Sequence, residues 1–228
     1  GNNNTALGNY ALQANTTASN NTAVGYQAGY TNTTGSAITA IGQNALRSST
    51  TASNNVAVGQ DSLYTLTTGT GNAVLGTAAA RGMTTGNYNT VMGQEALKDN
   101  TTASENTAVG YNSSRYSTTG ANNVSVGFRS LYNNTTAGSN TAVGHETGYT
   151  NTTSQFNAFF GRQAGYYATG GANTFIGQQA GVVVTSGGGN TILGRFNGNQ
   201  GGLDIRTGNN HIVLSDGDGN PQLYFASG

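Results

Sequence analysis

Apolar and polar positions recur with a fixed period along this chain of 228 residues. The motif Asn-Thr-Ala-Val-Gly and its variants return at a spacing of about 17 residues, with one shorter interval between Gly161 and Gly177. A large apolar residue precedes each motif glycine, and a Thr-Thr pair follows nine of them at a constant distance. The twelve motif glycines are Gly8, Gly25, Gly42, Gly59, Gly76, Gly93, Gly110, Gly127, Gly144, Gly161, Gly177 and Gly194. Columns that stay in phase for this long indicate a repeat architecture.

A second structural column lies four residues before each glycine. It is Asn in eleven of the twelve repeats, and Ile38 is the exception. We expect these side chains to stack from repeat to repeat and to support the backbone. The asparagines are Asn4, Asn21, Asn55, Asn72, Asn89, Asn106, Asn123, Asn140, Asn157, Asn173 and Asn190.

A period of this length matches one turn of a β-solenoid and is too short for two-helix repeats. The frequent Gly and Thr-Thr-Gly segments also disfavour helix. The five-residue motif predicts a short strand, and its glycine is expected at a corner with positive φ, where a Cβ would clash. We therefore predict an all-β fold, a parallel β-solenoid of twelve coils of about 17 residues, forming a rod roughly 55–58 Å long.

The predicted strand has no polar face. The residue before each glycine is large and apolar, and the residue two before it is apolar or small. A strand of this kind is normally covered on both sides. We expect the residue two before glycine, which enlarges from Ala to Phe159, Phe175 and Ile192, to face outward against another sheet or a second chain.

The period divides the chain into two parts. Residues 1–198 form the predicted solenoid, and residues 199–228 are predicted as a β-hairpin or connector. Its strands are expected near His211–Ser215 and Gln222–Ala226, around the turn Asp-Gly-Asp-Gly-Asn. The chain opens within a motif, and because solenoids need capped ends, we expect it to belong to a longer fibre.

Composition excludes several classes of function. Gly, Thr and Asn make up 102 of the 228 residues, charged residues are 7%, and the formal net charge is zero. We expect no nucleic-acid partner, because there is no surplus of basic residues to neutralise phosphates. The chain has no cysteine, which excludes disulfides and thiolate metal sites, and no apolar stretch is long enough for membrane insertion.

Two motifs suggest chemistry only weakly. His145-Glu146 is an adjacent acid–base pair without a second His nearby, and we expect it at the surface. Gly187–Gly189 lacks the Lys and the helix of a phosphate-binding loop. The carboxylates occupy scattered repeat positions, whereas a polysaccharide hydrolase needs two in one cleft; they are Asp61, Glu95, Asp99, Glu105, Glu146, Asp204, Asp216 and Asp218. We predict no catalytic, metal or cofactor site and no enzyme activity.

The segment Asp216, Asp218 and Asn220 matches the first three ligands of a calcium loop. However, Pro221 stands where that loop requires Gly, so we favour a simple turn over a weak ion site.

Two further sets of residues have both a non-functional and a functional interpretation. Asn-Xaa-Thr triplets could accept glycans, but a chain rich in Asn and Thr generates them automatically; they begin at Asn15, Asn32, Asn100, Asn134 and Asn151. Tyrosines recur five residues after glycine and are expected to be exposed, either packing between coils or chains or stacking on sugars; they are Tyr30, Tyr64, Tyr132, Tyr149 and Tyr166.

The repeat columns resemble a known family. The segment Asn-Thr-Ala-Val-Gly-Tyr-Gln-Ala-Gly at 21–29 resembles the head repeats of trimeric autotransporter adhesins (YadA-type heads). The longer Thr-Thr-Gly repeats look like those of bacteriophage tail fibres, and segment 209–220 looks like the region that joins such repeats to terminal domains. The resemblance implies left-handed parallel β-rolls assembled as homotrimers.

These observations favour a non-enzymatic structural and adhesive fibre. We expect a trimeric β-roll rod of a tail fibre, on a virion, that contributes to host attachment by a cell-surface glycan or protein receptor. The first alternative is a bacterial trimeric autotransporter-type adhesin or filament subunit at the cell surface. The second is an ice-binding solenoid, suggested by the threonine columns, although the two threonines of each pair are expected to point to different sides.

Overall fold

The computed structural model describes residues 1–226 as a stack of coils built from β-strands and turns. One three-residue strand forms in each repeat, as the motif predicts, and four short strands follow. The strands are β1 Thr5–Leu7, β2 Thr22–Val24, β3 Thr39–Ile41, β4 Val56–Val58, β5 Ala73–Leu75, β6 Thr90–Met92, β7 Thr107–Val109, β8 Val124–Val126, β9 Thr141–Val143, β10 Ala158–Phe160, β11 Thr174–Ile176, β12 Thr191–Leu193, β13 Asn199–Gln200, β14 Leu203–Asp204, β15 Ile212–Ser215 and β16 Pro221–Phe225. The all-β class is confirmed.

Strands β1 to β12 pair in parallel, each with the next, in one sheet. Ala23 pairs with Ala40, its equivalent in the next repeat. The register keeps equivalent positions opposite each other even across the shorter repeat, where Phe159 pairs with Phe175. The predicted parallel β-solenoid of about twelve coils is therefore confirmed.

The repeat glycines stand in one file at the corner that follows each strand. Their φ angles lie between 112° and 141°. A Cβ added to Gly42 would lie 2.7 Å from the carbonyl carbon and oxygen of Gly59 in the next coil. Both the backbone conformation and the close approach of successive coils therefore require glycine here.

The segment after each glycine is a turn, and it uses a conformation that the sequence pattern did not indicate. Asn44 and Leu46 both have positive φ, 58° and 50°. The turn is held by both neighbouring coils, because the Asn44 amide donates to the Tyr26 carbonyl at 2.9 Å and the Leu46 amide donates to the Ser62 carbonyl at 3.0 Å. Bonds to the coils on either side satisfy backbone groups that would otherwise be unpaired.

The prediction that the residue two before glycine faces outward is wrong. Phe159, Phe175 and Ile192 are completely buried inside the coil of a single chain. The outward-facing residues are those one and three before the glycine. The interior accepts the larger side chains because glycine occupies the opposing turn, where a Cβ on Gly165 would lie 2.7 Å from the Phe159 ring.

The coil interior is divided into two apolar cores. The first extends from Leu12 to Ala108 and the second from Leu131 to Val213. The coil between them has serine at four of its buried positions, Ser113, Ser114, Ser117 and Ser125, beside the buried Asn112 and Asn123. We call this group the serine layer.

The large parallel sheet continues beyond residue 198 with one more strand, β15. Strand β15 pairs in parallel with β12, and Leu193 lies opposite Leu214, so the last coil is longer than those before it. The extra length holds the small antiparallel pair β13–β14. The predicted antiparallel hairpin is confirmed as β15–β16, and it is attached to the end of the same sheet. Residues 227 and 228 of the expected C-terminal segment lie outside the described residues.

Candidate interaction surface

The outer face of the parallel sheet carries two columns of side chains, which we call the outer band. One column is the residue just before each glycine and its equivalent in β15: Leu7, Val24, Ile41, Val58, Leu75, Met92, Val109, Val126, Val143, Phe160, Ile176, Leu193 and Leu214. The other is the first residue of each paired triplet: Thr5, Thr22, Thr39, Val56, Ala73, Thr90, Thr107, Val124, Thr141, Ala158, Thr174, Thr191 and Ile212. The alternation of side chains along a strand puts both columns on one face.

The outer band is uncharged and open to solvent. The column just before the glycines is apolar, and the other column is threonine at eight of its thirteen positions. None of the band's side chains is buried, and Leu7, Met92 and Leu193 are 66%, 50% and 49% exposed. None of its positions is Asp, Glu, Lys or Arg. Thirteen strands about 4.8 Å apart give a length of roughly 58 Å, and at a width of roughly 10 Å the area is about 600 Å². With its threonines counted, the band has about the area of the largest apolar patches on typical monomers.

Aromatic rings border the outer band in its middle third. Tyr111, Phe128 and His145 follow three consecutive glycines and stack on one another, with centroids 5.6 and 4.9 Å apart. The Tyr111 and Phe128 side chains remain 42% and 37% exposed. They widen the apolar surface at these coils.

A separate file of side chains lies five residues after the glycines of nine consecutive coils, and we call it the Tyr–Arg column. Its members are Tyr30, Arg47, Tyr64, Arg81, Lys98, Arg115, Tyr132, Tyr149 and Tyr166. At one end, the Arg47 guanidinium lies 5.4 Å from the Tyr30 ring centroid and 5.5 Å from that of Tyr64. Arg81 lies 5.3 Å from the Tyr64 centroid, so cations and rings alternate.

One carboxylate pairs with two cations in the middle of the Tyr–Arg column. Glu95 pairs with Lys98 at 2.9 Å and with Arg115 at 3.0 Å. The hydrogen bond from Lys98, with the charges of Lys98 and Arg115, holds the pKa of Glu95 below its ordinary value despite partial burial. Lys98 and Arg115 are therefore already engaged within the chain.

The tyrosines of the Tyr–Arg column are half-buried, so the expectation that they are exposed is wrong. Tyr132 stacks on Tyr149 with centroids 5.2 Å apart and an interplanar angle of 7°, and Tyr149 stacks on Tyr166 at 4.9 Å and 4°. The rings cover one another's faces, as expected for packing between coils. Their faces are not free to stack on a sugar.

The asparagine column forms a buried ladder of hydrogen bonds. Asn123 accepts from the Asn140 backbone amide at 3.0 Å, and its side-chain amide donates to the Ala137 carbonyl at 2.9 Å. The same pattern links Asn72 to Asn89 and recurs along the stack. The column therefore joins each coil to the next by side chain as well as by backbone.

The two threonines of each Thr-Thr pair differ in role. Thr50 donates its hydroxyl proton to the Thr67 carbonyl of the next coil at 3.2 Å, whereas the side chain of Thr51 is exposed. The first threonine makes this bond in eight of the nine pairs, so in those pairs only the second threonine presents a free hydroxyl at the surface.

Burial argues against most of the glycan-acceptor triplets. Asn32, Asn100, Asn134 and Asn151 are completely buried, and only Asn15 is partly accessible. Asn134 donates to the Ala137 carbonyl at 3.0 Å, a structural use of the side chain.

The acid–base and calcium-loop candidates have local partners. His145 lies 3.6 Å from Glu146 and is 47% exposed. Asp216 accepts from the backbone amides of Asn220 at 2.8 Å and Asp218 at 3.0 Å, and these bonds, led by that from Asn220, lower the pKa of Asp216. The carboxylate thus closes the hairpin turn.

The structure also locates two other candidates from the sequence, the glycine run and the carboxylates. The Gly188 amide, in the glycine run, donates to the Asn209 side chain at 2.8 Å. Among the carboxylates, Asp61, Glu95 and Glu146 share the position two residues after glycine, but they lie two and three coils apart. Three of the eight carboxylates therefore share one repeat position, which differs from the expected scatter over the repeat. These three are nevertheless separated along the rod.

The part of the chain that the structure describes contains no pocket, and no group of three or more His, Asp or Glu side chains there is placed to hold a metal ion. No helix that could span a membrane occurs in residues 1–226.

Neither a protein-family model, nor a curated protein, nor a solved structure matches this chain. The resemblance to adhesin heads and tail fibres therefore stays a prediction.

Proposed function

We propose that this chain is a non-enzymatic structural subunit of a trimeric fibre, in which the outer bands of three copies face one another along a common axis. The observation that carries the proposal is the outer band itself, an uncharged and half-exposed strip of mostly apolar and threonine side chains along the whole rod. Burial of apolar surface is the main favourable term in association.

A second copy of the chain is the partner that suits the band. The band presents thirteen rungs about 4.8 Å apart, and only a surface with the same rise stays in register over roughly 58 Å. Another copy has this rise, including the shorter coil between Gly161 and Gly177. About 600 Å² from the band, with the aromatic border, approaches the roughly 800 Å² per partner of a stable interface.

The biological role follows from this shape. A rigid rod with a repeated surface suits a fibre that holds a binding element away from a virion or cell. We propose a tail fibre that contributes to host attachment, with a bacterial surface adhesin as the alternative; both are extracellular.

Light scattering on the purified protein tests the assembly. We expect three subunits per particle at all concentrations. V109E/V126E, which places charges in the middle of the band, should give monomers, because an unpaired buried carboxylate is strongly unfavourable. T102E/T119E adds the same charges at exposed positions in nearby coils and should remain trimeric. A folded wild-type monomer would contradict the proposal.

A further inference from the structure

The end of the Tyr–Arg column that contains Arg47, Tyr64 and Arg81 carries cations with no acidic partner. Among the described residues, neither arginine forms an ion pair with a carboxylate. This distinguishes them from Lys98 and Arg115, which both bind Glu95. Asp61 stands 20 residues before Arg81, as Glu95 does before Arg115, but it accepts from the Asn44 side chain at 3.0 Å and forms no ion pair with Arg81.

The donors of these arginines are largely free. Arg47 uses Nε for a 2.9 Å bond to Gln27 and Nη1 for a 3.2 Å bond to the Tyr64 hydroxyl. A guanidinium has five N–H groups, so three of those on Arg47 remain. Arg81 is exposed, and within the described part of the chain its contact is with the Tyr64 ring.

Packing against Tyr64 fixes the positions of both guanidinium groups. Because Tyr64 lies between them, the arginines are two coils apart, roughly 9.6 Å along the rod. The Tyr64 oxygen accepts from Arg47, which leaves its own O–H free to donate. The half-exposed Ser48 next to Arg47 adds another hydroxyl.

We propose that Arg47, Tyr64 and Arg81 form a binding strip for a linear acidic polysaccharide with a carboxylate on every second sugar. One sugar unit of an extended chain advances by about one coil spacing, so alternate units meet the two arginines. Each guanidinium pairs with a carboxylate, and the hydroxyls of Tyr64 and Ser48 bind the neutral sugar between them.

The spacing disfavours other polyanions. An extended acidic peptide places side chains of one face roughly 7 or 13 Å apart, and neither distance matches two coils. Nucleic acid is bound through many phosphate contacts, commonly about 6–10, which two free arginines cannot supply.

This inference rests on the proposed function, because a surface fibre meets such polysaccharides. The test measures binding of the 228-residue protein to immobilised hyaluronan, which has a carboxylate on alternate sugars, with uncharged dextran as the comparison. We expect binding to hyaluronan that weakens as salt is raised. R47Q/R81Q should bind about tenfold or more weakly, because both charge-assisted contacts are lost.

The control R162Q/R195Q removes the same charge from positions outside the column and should bind within about twofold of wild type. Thermal unfolding of both variants checks that they fold. No binding to hyaluronan, equal binding to dextran, or unchanged binding by folded R47Q/R81Q would overturn the proposal. Light scattering on the same samples separates the two ideas, since a monomer that binds hyaluronan contradicts only the trimer, and a trimer that does not bind contradicts only the strip.

Discussion

The hydroxyl of Ser113 lies 2.8 Å from both the hydroxyl and the carbonyl oxygen of Ser125, inside the coil. Ser114 donates to the same Ser125 hydroxyl at 2.8 Å. This serine layer separates the two apolar cores, so inside the coil the halves of the rod meet through hydrogen bonds and not through packed apolar side chains. In repeat proteins, cooperativity depends on such contacts between neighbours.

We therefore expect the two halves to unfold as separate units, with native-state hydrogen exchange giving two free energies of opening. S113A/S114L/S125A copies the interior of an apolar coil, which has Ala96, Leu97 and Ala108 at these positions. It should join the cores, stabilise the protein by about 1–3 kcal/mol and merge the two openings into one. A single cooperative opening in the wild-type protein would show that the serine layer does not divide the rod into two unfolding units.

The asparagine ladder predicts a large effect of a small truncation. Asn123→Ala removes the side-chain partner of the buried Asn140 amide and one of the two donors to the Ala137 carbonyl, which keeps its bond from Asn134. We expect the free energy of unfolding to fall by about 2–4 kcal/mol, measured by urea denaturation. Gln94→Ala, at an exposed position, should change it by less than about 0.5 kcal/mol. Equal effects of the two variants would exclude a special role for the ladder.

The repeat glycines predict steric intolerance. Gly42→Ala would force a Cβ to within 2.7 Å of the Gly59 backbone at a φ of 129°. We expect destabilisation of about 3 kcal/mol or more, seen as a lower thermal midpoint. Gly217→Ala has no atom within 4 Å of the new Cβ and should be nearly neutral. If Gly42→Ala unfolds at the wild-type midpoint, the coils are not as close as described.

The Glu95 cluster predicts a pH dependence. The folded-state pKa of Glu95 is lowered, so its contribution to stability is present above the ordinary Glu pKa of about 4.3 and is lost as pH falls through the folded value. Glu95→Gln should be less stable than wild type by less than about 1 kcal/mol at neutral pH, because the pairs are partly exposed. The difference should vanish in acid. A stability difference between Glu95→Gln and wild type that grows as the pH is lowered would contradict this role of the Glu95 ion pairs.

The sequence predicts the stacking of the coils because its short, constant period and its glycine file leave few other folds. The sequence does not by itself show which face of each strand points into the coil, since apolar residues stand on both faces. A usable signal exists in the opposing turn, where Phe159 and Phe175 are followed by Gly165 and Gly181, while small Ala57 is followed by Leu63. The relation is not strict, because Ala142 is followed by Gly148, whose space the Phe159 ring of the next coil fills.

Other features depend on contacts that a periodic pattern does not reveal. Strand β15 lies further along the chain from β12 than the repeat spacing would place it, so the period does not predict that it continues the sheet. In the sequence, only the tyrosines of the Tyr–Arg column form a visible repeat. The arginines occupy the same repeat position, but their side chains are of a different type. The alternation of the column becomes clear when Tyr30, Arg47 and Tyr64 are seen in contact.

The reversal of chain direction in β16 determines how the sheet can grow. Its antiparallel pairing occupies the free edge of β15, so a further coil cannot be added there in the parallel register of the rest. The new edge begins with Pro221, which has no amide hydrogen to offer. A further coil therefore cannot extend the parallel sheet directly from β15, and any strand added at this end would have to pair with β16.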